Sequence, residues 1–176
     1  MTHIASLGSG IFSYLDIYDG SVNPSAETAS GYAGLFVTAN NSDIKRMPSV
    51  REFPSIGTPA NIVNVPVYGQ NTSSQIQGQA DAPTLEVTVN YVANDMTPFH
   101  TLVGTEVYFR FMMCTQATAL AASTNSSSSA LGYGNTEFYF KGKIEAILVN
   151  PALTDATTAT VTLSAQSDFF GPATLP

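Results

Sequence analysis

Residues 84–92 read TLEVTVNYV, and their alternation decides the fold class. Leu85, Val87, Val89 and Tyr91 take one side, and Thr84, Glu86, Thr88 and Asn90 take the other. A period of two marks a strand with one face in a core and one in water. The period returns in Thr105–Cys114, where Val107, Phe109, Phe111 and Met113 alternate with Glu106, Tyr108, Arg110 and Met112. In Glu137–Val149 it places Phe138, Phe140, Ile144, Ala146 and Leu148 in step, with Lys141-Gly142-Lys143 interrupting as a bulge. In Thr158–Gln166, Ala159, Val161, Leu163 and Ala165 oppose Thr158, Thr160, Thr162 and Ser164. Threonine suits such a polar face because its β-branch is stiff on a pleated surface. Phe109, Phe111, Phe138 and Phe140 are assigned to the core.

Working outward, earlier strands are expected at Phe12–Tyr18, Leu35–Asn40, Asn61–Tyr68 and Ser73–Gln79, with Pro66 placing the third at an edge or bulge. One short helix is expected between the first two long strands. Thr97 serves as its N-cap, Pro98 as its first residue and Gly104 as its C′ position, with Phe99, Leu102 and Val103 as its apolar stripe. A weaker helical pattern lies at Ser25–Ser30. Asn41–Pro59 and Gln116–Tyr133 read as long loops, and Met1–Gly10 and Gly171–Pro176 as arms that order on assembly. The whole is one all-β domain over residues 1–176, a β-sandwich or partial barrel with one short flanking helix and long assembly loops.

The 176 residues carry six basic and 13 acidic side chains, a net charge of −7. That balance disfavours a protein that neutralises phosphates. Only 11% of residues are charged, against about 25% in an ordinary soluble domain. Thr 20, Ser 18, Asn 11 and Gln 6 supply the polarity instead. A folded chain so poor in charge either relies on neutral polar groups for solubility or covers much of its surface with partners. Charges are depleted from interface cores because they are costly to desolvate.

Signatures of chemistry are sparse. The single cysteine, Cys114, forms no internal disulfide and reads as a small buried hydrophobe in a reducing cytoplasm. Histidine occurs at His3 and His100 alone, so imidazole catalysis would have to run through His100, which reads as a surface residue. There is no Gly-x-Ser-x-Gly elbow, no Walker loop, no calcium loop and no zinc-ligand spacing. No signal-peptide pattern opens the chain and no run of 18 apolar residues occurs, so no membrane insertion is expected; sequons at Asn40, Asn71 and Asn125 carry little weight. Neither catalysis nor a cofactor nor a metal is expected.

The order of the elements resembles that of a known family. The stretch Asp81–Val92 (DAPTLEVTVNYV) runs into a helix ending at Gly104, then into the strand Glu106–Met113. A long loop follows, then Phe138–Val149 (FYFKGKIEAILV) and Thr158–Gln166. This order is similar to that of the tail tube (major tail) proteins of long, non-contractile bacteriophage tails. The resemblance implies a subunit that forms stacked, hexameric rings whose inner sheets join into one barrel. Its partners would be other copies of itself, the tape-measure protein, and tail initiator and terminator proteins. DNA would pass through without specific binding. Such a protein would assemble in the host cytoplasm and end in the virion tail, here as a smooth tube without an appended domain. Asn41–Pro59 stands where such proteins carry a loop that reaches a neighbouring ring, and holds Lys45, Arg46 and Arg51, three of the six basic residues, as candidate inter-ring contacts. Glu86, Thr88, Asn90, Glu106 and Glu137 sit on polar strand faces and are candidates for an acidic or neutral lumen. Two alternatives stay open: a non-catalytic β-sandwich binding module of the adhesin or receptor-binding kind, and a tube subunit of a contractile device.

Overall fold

The computed structural model describes residues 13–38, 43–57, 61–69, 71–78, 83–113 and 136–173. Cys114, His3, Asn40, Asn125, the loop 116–133 and the arm 1–10 lie outside the described residues. In chain order the elements are β1 (Ser13–Tyr18), α1 (Ala29–Thr38), β2 (Ile44–Arg46), β3 (Val50–Glu52), β4 (Ile62–Val65), β5 (Ser74–Gln77), β6 (Thr84–Asn90), α2 (Ala93–His100), β7 (Glu106–Met113), β8 (Thr136–Asn150), β9 (Thr158–Ala165) and β10 (Phe170–Ala173).

One antiparallel sheet, curled into a half-barrel, carries the fold. Its strands run β2-β1-β7-β8-β9-β6-β3, and β10 joins β8. The all-β expectation is met in its partial-barrel form. The fifteen-residue β8 is the spine: its first half pairs with β7 and its second with β9. The crossover falls at Gly142, opposite both Val107 and Ala165. A Cβ there would meet the Ser164 carbonyl oxygen at 2.2 Å, so glycine is required for the strands to approach.

The main core lies on one face of the sheet. Leu85, Val87 and Val89 of β6, Phe109 and Phe111 of β7, Phe140 and Ile144 of β8, and Val161 and Leu163 of β9 are buried there. Each such side chain contributes about 1.5–3 kcal/mol by leaving water. Phe138 is half-buried against the same cluster. The pairing of β8 with β9 breaks register between Ile144 and Ala146, so the bulge falls at Glu145 and not at Lys141–Lys143. The slip exchanges the faces beyond it: Ile147 packs on the core, while Ala146 and Leu148 turn to the other side.

Helix α2 closes one mouth of this core with Met96 and Phe99, followed by Leu102. Its first residue, Ala93, lies five residues before the expected first residue, Pro98. The Val92 carbonyl accepts the Met96 N–H, no side chain caps the end, and Pro98 lies inside the helix. Thr97 instead donates its hydroxyl to the Ala93 carbonyl at 2.8 Å. The helix is set by the three-residue spacing of Met96, Phe99 and Leu102, which reaches one residue pair further back than the Phe99–Val103 stripe. The helix ends with Thr101 as its C-cap, so Gly104, which takes positive φ, stands three residues past the cap and not at the expected C′ position.

Several other segments depart from expectation. Leu35–Asn40 is not a strand: residues to 38 belong to α1, whose start the Thr28 hydroxyl caps by accepting the Gly31 N–H at 3.2 Å. Asn41–Pro59 holds two short edge strands, β2 and β3, and residues 171–173 of the expected C-terminal arm belong to β10, which pairs with β8. The strands at 61–68 and 73–79 form β4 and β5, a hairpin separate from the main sheet.

Candidate assembly and lumen surfaces

The second face of the sheet is treated differently along its width. Opposed residues on antiparallel strands share a face, so the register gives rows across β1, β7 and β8: Tyr18–Tyr108–Lys141, Asp16–Arg110–Tyr139 and Tyr14–Met112–Glu137. Helix α1 lies over these rows. Its Tyr32 stacks on Phe170 at 5.1 Å and meets Tyr108 edge-on at 5.8 Å, and Phe36 meets Tyr18 at 6.1 Å.

Beneath α1 sits a charge network. The Asp16 carboxylate accepts Arg46 Nε at 2.7 Å and Nη2 at 3.1 Å, and Arg110 Nη2 at 2.7 Å. Asp16, Arg110 and Glu137 are each at most 1% exposed. Arg46 also lies over the Tyr14 ring at 4.4 Å and Arg110 over Phe36 at 4.7 Å. Burial acts to lower the Arg110 pKa, but Asp16 and Glu137 outweigh it and hold the guanidinium above its ordinary value. Tyr139 donates to Glu137, and burial, then the Glu137 charge, push its phenol far up. The other Glu137 oxygen meets no donor among the described residues.

Beyond α1, no helix or strand among the described residues lies over the same face. Its rows across β6, β9 and β8 are Thr84–Ser164–Lys143, Glu86–Thr162–Ala146, Thr88–Thr160–Leu148 and Asn90–Thr158–Asn150. No residue of these rows is buried. Their charges are Glu86 and Lys143, joined by Glu145 of the bulge, which accepts the Ser164 hydroxyl. The result is a threonine-rich wall with one more acid than base.

The lumen candidates therefore separate. Glu86, Thr88 and Asn90 lie together on the bare wall. Glu106 is exposed where the two halves meet and binds Lys141 at 2.7 Å, a hydrogen bond that raises the lysine pKa. Glu137 shares the face but is buried under α1, so it is closed to solvent. Of the basic residues, Lys45 pairs with Asp19 and Arg46 with Asp16, both within the chain, while Arg51 is exposed on the edge strand β3. Sequence reading missed the Asp16–Arg110 pair. Its signal was a charge set inside each of two apolar runs, SYLDIY and VYFRFMM.

Chemistry of other kinds finds little footing. Among the described residues no three His, Cys, Asp or Glu side chains gather to hold a metal. His100 is exposed, with Nε2 at 3.5 Å from the Tyr91 hydroxyl. No helix among the described residues is long and apolar enough to cross a membrane.

The sequence matches no protein-family model and no curated protein. A solved structure is similar: the SPP1 tail tube, determined by solid-state NMR and cryo-EM, aligns with a TM-score of 0.57 at 12% identity, over 94% of this chain and 80% of that one. The fold of the chain is thus tail-tube-like.

Proposed function

We propose that the chain is a structural subunit of a phage tail tube of the long, non-contractile kind. Copies assemble into stacked rings of six, and the bare threonine wall of β6, β9 and β8 lines the bore. The observation that carries this reading is that wall: a half-face of a curled sheet on which no row residue is buried and which carries few charges. The tail-tube-like fold supports it. A wall with a slight acidic excess offers phosphate no cation cluster to release counterions against, so DNA slides past it. Ring closure would also pair the open edges at β2 and β3, which otherwise present unpaired backbone groups. Within this reading Arg51 is the inter-ring candidate, since Lys45 and Arg46 already hold Asp19 and Asp16. The tape-measure protein fills the bore before DNA, the initiator and terminator proteins bound the tube, and assembly takes place in the host cytoplasm.

The test is negative-stain electron microscopy with light scattering over a concentration series, with and without a tail initiator complex. Rings or tubes of uniform bore are expected. A monomer under every condition contradicts the proposal.

A further inference from the structure

Of the seven aspartates and 11 asparagines in the chain, only Asp19 is followed by glycine. That dipeptide is chemically labile. The Gly20 amide nitrogen can attack Cγ of Asp19, because no side chain on residue 20 hinders the approach. The carboxyl takes up a proton, one of its oxygens departs with the amide hydrogen as water, and a five-membered succinimide closes. Water then opens the ring at either carbonyl. One opening restores aspartate, and the other leaves isoaspartate, whose main chain runs through the side chain and is one carbon longer. No oxidant or further reagent enters.

The dipeptide stands just past β1, outside any strand and half-buried. Ring closure needs Asp19 to turn about its ψ and χ1 until the Gly20 nitrogen meets Cγ. Four contacts oppose that turn. The Asp19 N–H donates to the Asp43 carbonyl at 3.1 Å, and the Asp19 carboxylate is held by Lys45 of β2. Gly20 lies against the ring of Tyr18, where a Cβ would meet the hydroxyl oxygen at 2.3 Å. That hydroxyl in turn accepts the Val22 N–H at 3.2 Å. Tyr18 is itself fixed, since it is buried and packs on Phe36 and Tyr108. The segment is thus tied to β2 on one side and to a buried ring on the other.

We propose that Asp19–Gly20 is a site of succinimide and isoaspartate formation, and that Lys45 and Tyr18 are positioning residues that hold it unreacted in the folded protomer. A part-exposed ion pair adds little to stability, yet here it fixes the direction of the carboxylate that must move for the ring to close. Reaction lengthens the main chain where β1 leaves β2 and shifts the free carboxylate away from Lys45. The damage therefore falls on the sheet edge that also holds Asp16 and Arg46. The site belongs to the single protomer and does not depend on assembly.

Ageing the purified chain at mildly acid pH, below its unfolding transition, tests this. Isoaspartate is read by mass mapping of the peptide that holds Asp19 and by enzymatic methylation of isoaspartyl groups. The same chain in urea gives the unrestrained rate. The folded parent is expected to form isoaspartate at least about tenfold more slowly than the unfolded chain. Lys45→Ala is expected to raise the folded rate about fivefold and Tyr18→Phe about threefold, with the rates in urea unchanged. Lys45→Arg is expected to restore the parent's rate. Thermal melts confirm that each variant stays folded during ageing, and Tyr18→Phe carries the test should Lys45→Ala unfold. A folded parent that isomerises as fast as the chain in urea overturns the proposal. So do Lys45→Ala and Tyr18→Phe variants that both age at the parent's rate, or a chain that forms no isoaspartate even in urea.

Discussion

The two halves of the sheet's second face are built on one alternation and serve opposite ends. Under α1 the outward positions are Asp16, Arg110, Tyr139 and Tyr108, closed over by Tyr32 and Phe36. On β6 and β9 they are Thr88, Thr160, Thr162 and Glu86, open to water. Where a helix covers the sheet, polar atoms must find partners within the chain, and a charge network with stacked rings supplies them. Where nothing covers it, short uncharged side chains suffice. The difference separates a half of the face that the chain closes over itself from a half whose residues stay at least partly in solvent.

Breaking the covered half should have the largest effect. Arg110→Met removes the cation that faces both Asp16 and Glu137 and is expected to destabilise the protomer by about 3–5 kcal/mol in urea unfolding. Tyr139→Phe, which strips Glu137 of its donor, is expected to cost about 1–3 kcal/mol. The same phenol makes the covered half sensitive to alkali. Its folded pKa is raised, so its contribution is whole below about pH 10, the unfolded value. Above that, stability falls by about 1.4 kcal/mol per pH unit as the unfolded chain ionises first. Tyr139→Phe should flatten that decline in melts taken between pH 9 and 11, with the raised Tyr32 and Tyr108 leaving a residual slope.

The bare half should respond in the reverse manner. Thr160→Ala and Thr162→Ala are expected to change stability by less than about 0.5 kcal/mol. Thr160→Lys with Thr162→Lys should leave the protomer folded, yet slow DNA release from assembled particles and make it salt-dependent. A large loss of stability from these wall variants would show that the wall is packed and not open.

Much of this contrast was within reach of sequence, and the part that was not has a definite cause. Alternation in 84–92, 105–114 and 158–166 placed the long strands within a few residues, because one face of each meets the core. It also put Tyr108, Arg110 and Glu137 on the face away from that core, correctly. Alternation cannot say whether a helix lies over that face, so Glu137 read like Glu86. Helix α1 itself was hidden because Tyr32, Phe36 and Val37 favour strands and Gly31 and Gly34 weaken a helix. Tertiary contact with the tyrosine cluster overrides that preference. The slip at Glu145 was equally unreadable, since a one-residue bulge exchanges faces without changing composition. The hairpin was read as strands, but its separation from the sheet depends on contacts that no short window contains.

The central claim is that copies of this chain build a tube whose bore is the threonine wall, and a cryo-EM reconstruction of the assembled protein tests it most directly. The account predicts Thr88, Thr160, Thr162 and Glu86 facing the bore and α1 turned away from it. A tube with α1 lining the bore, or with the wall buried between subunits, would contradict it.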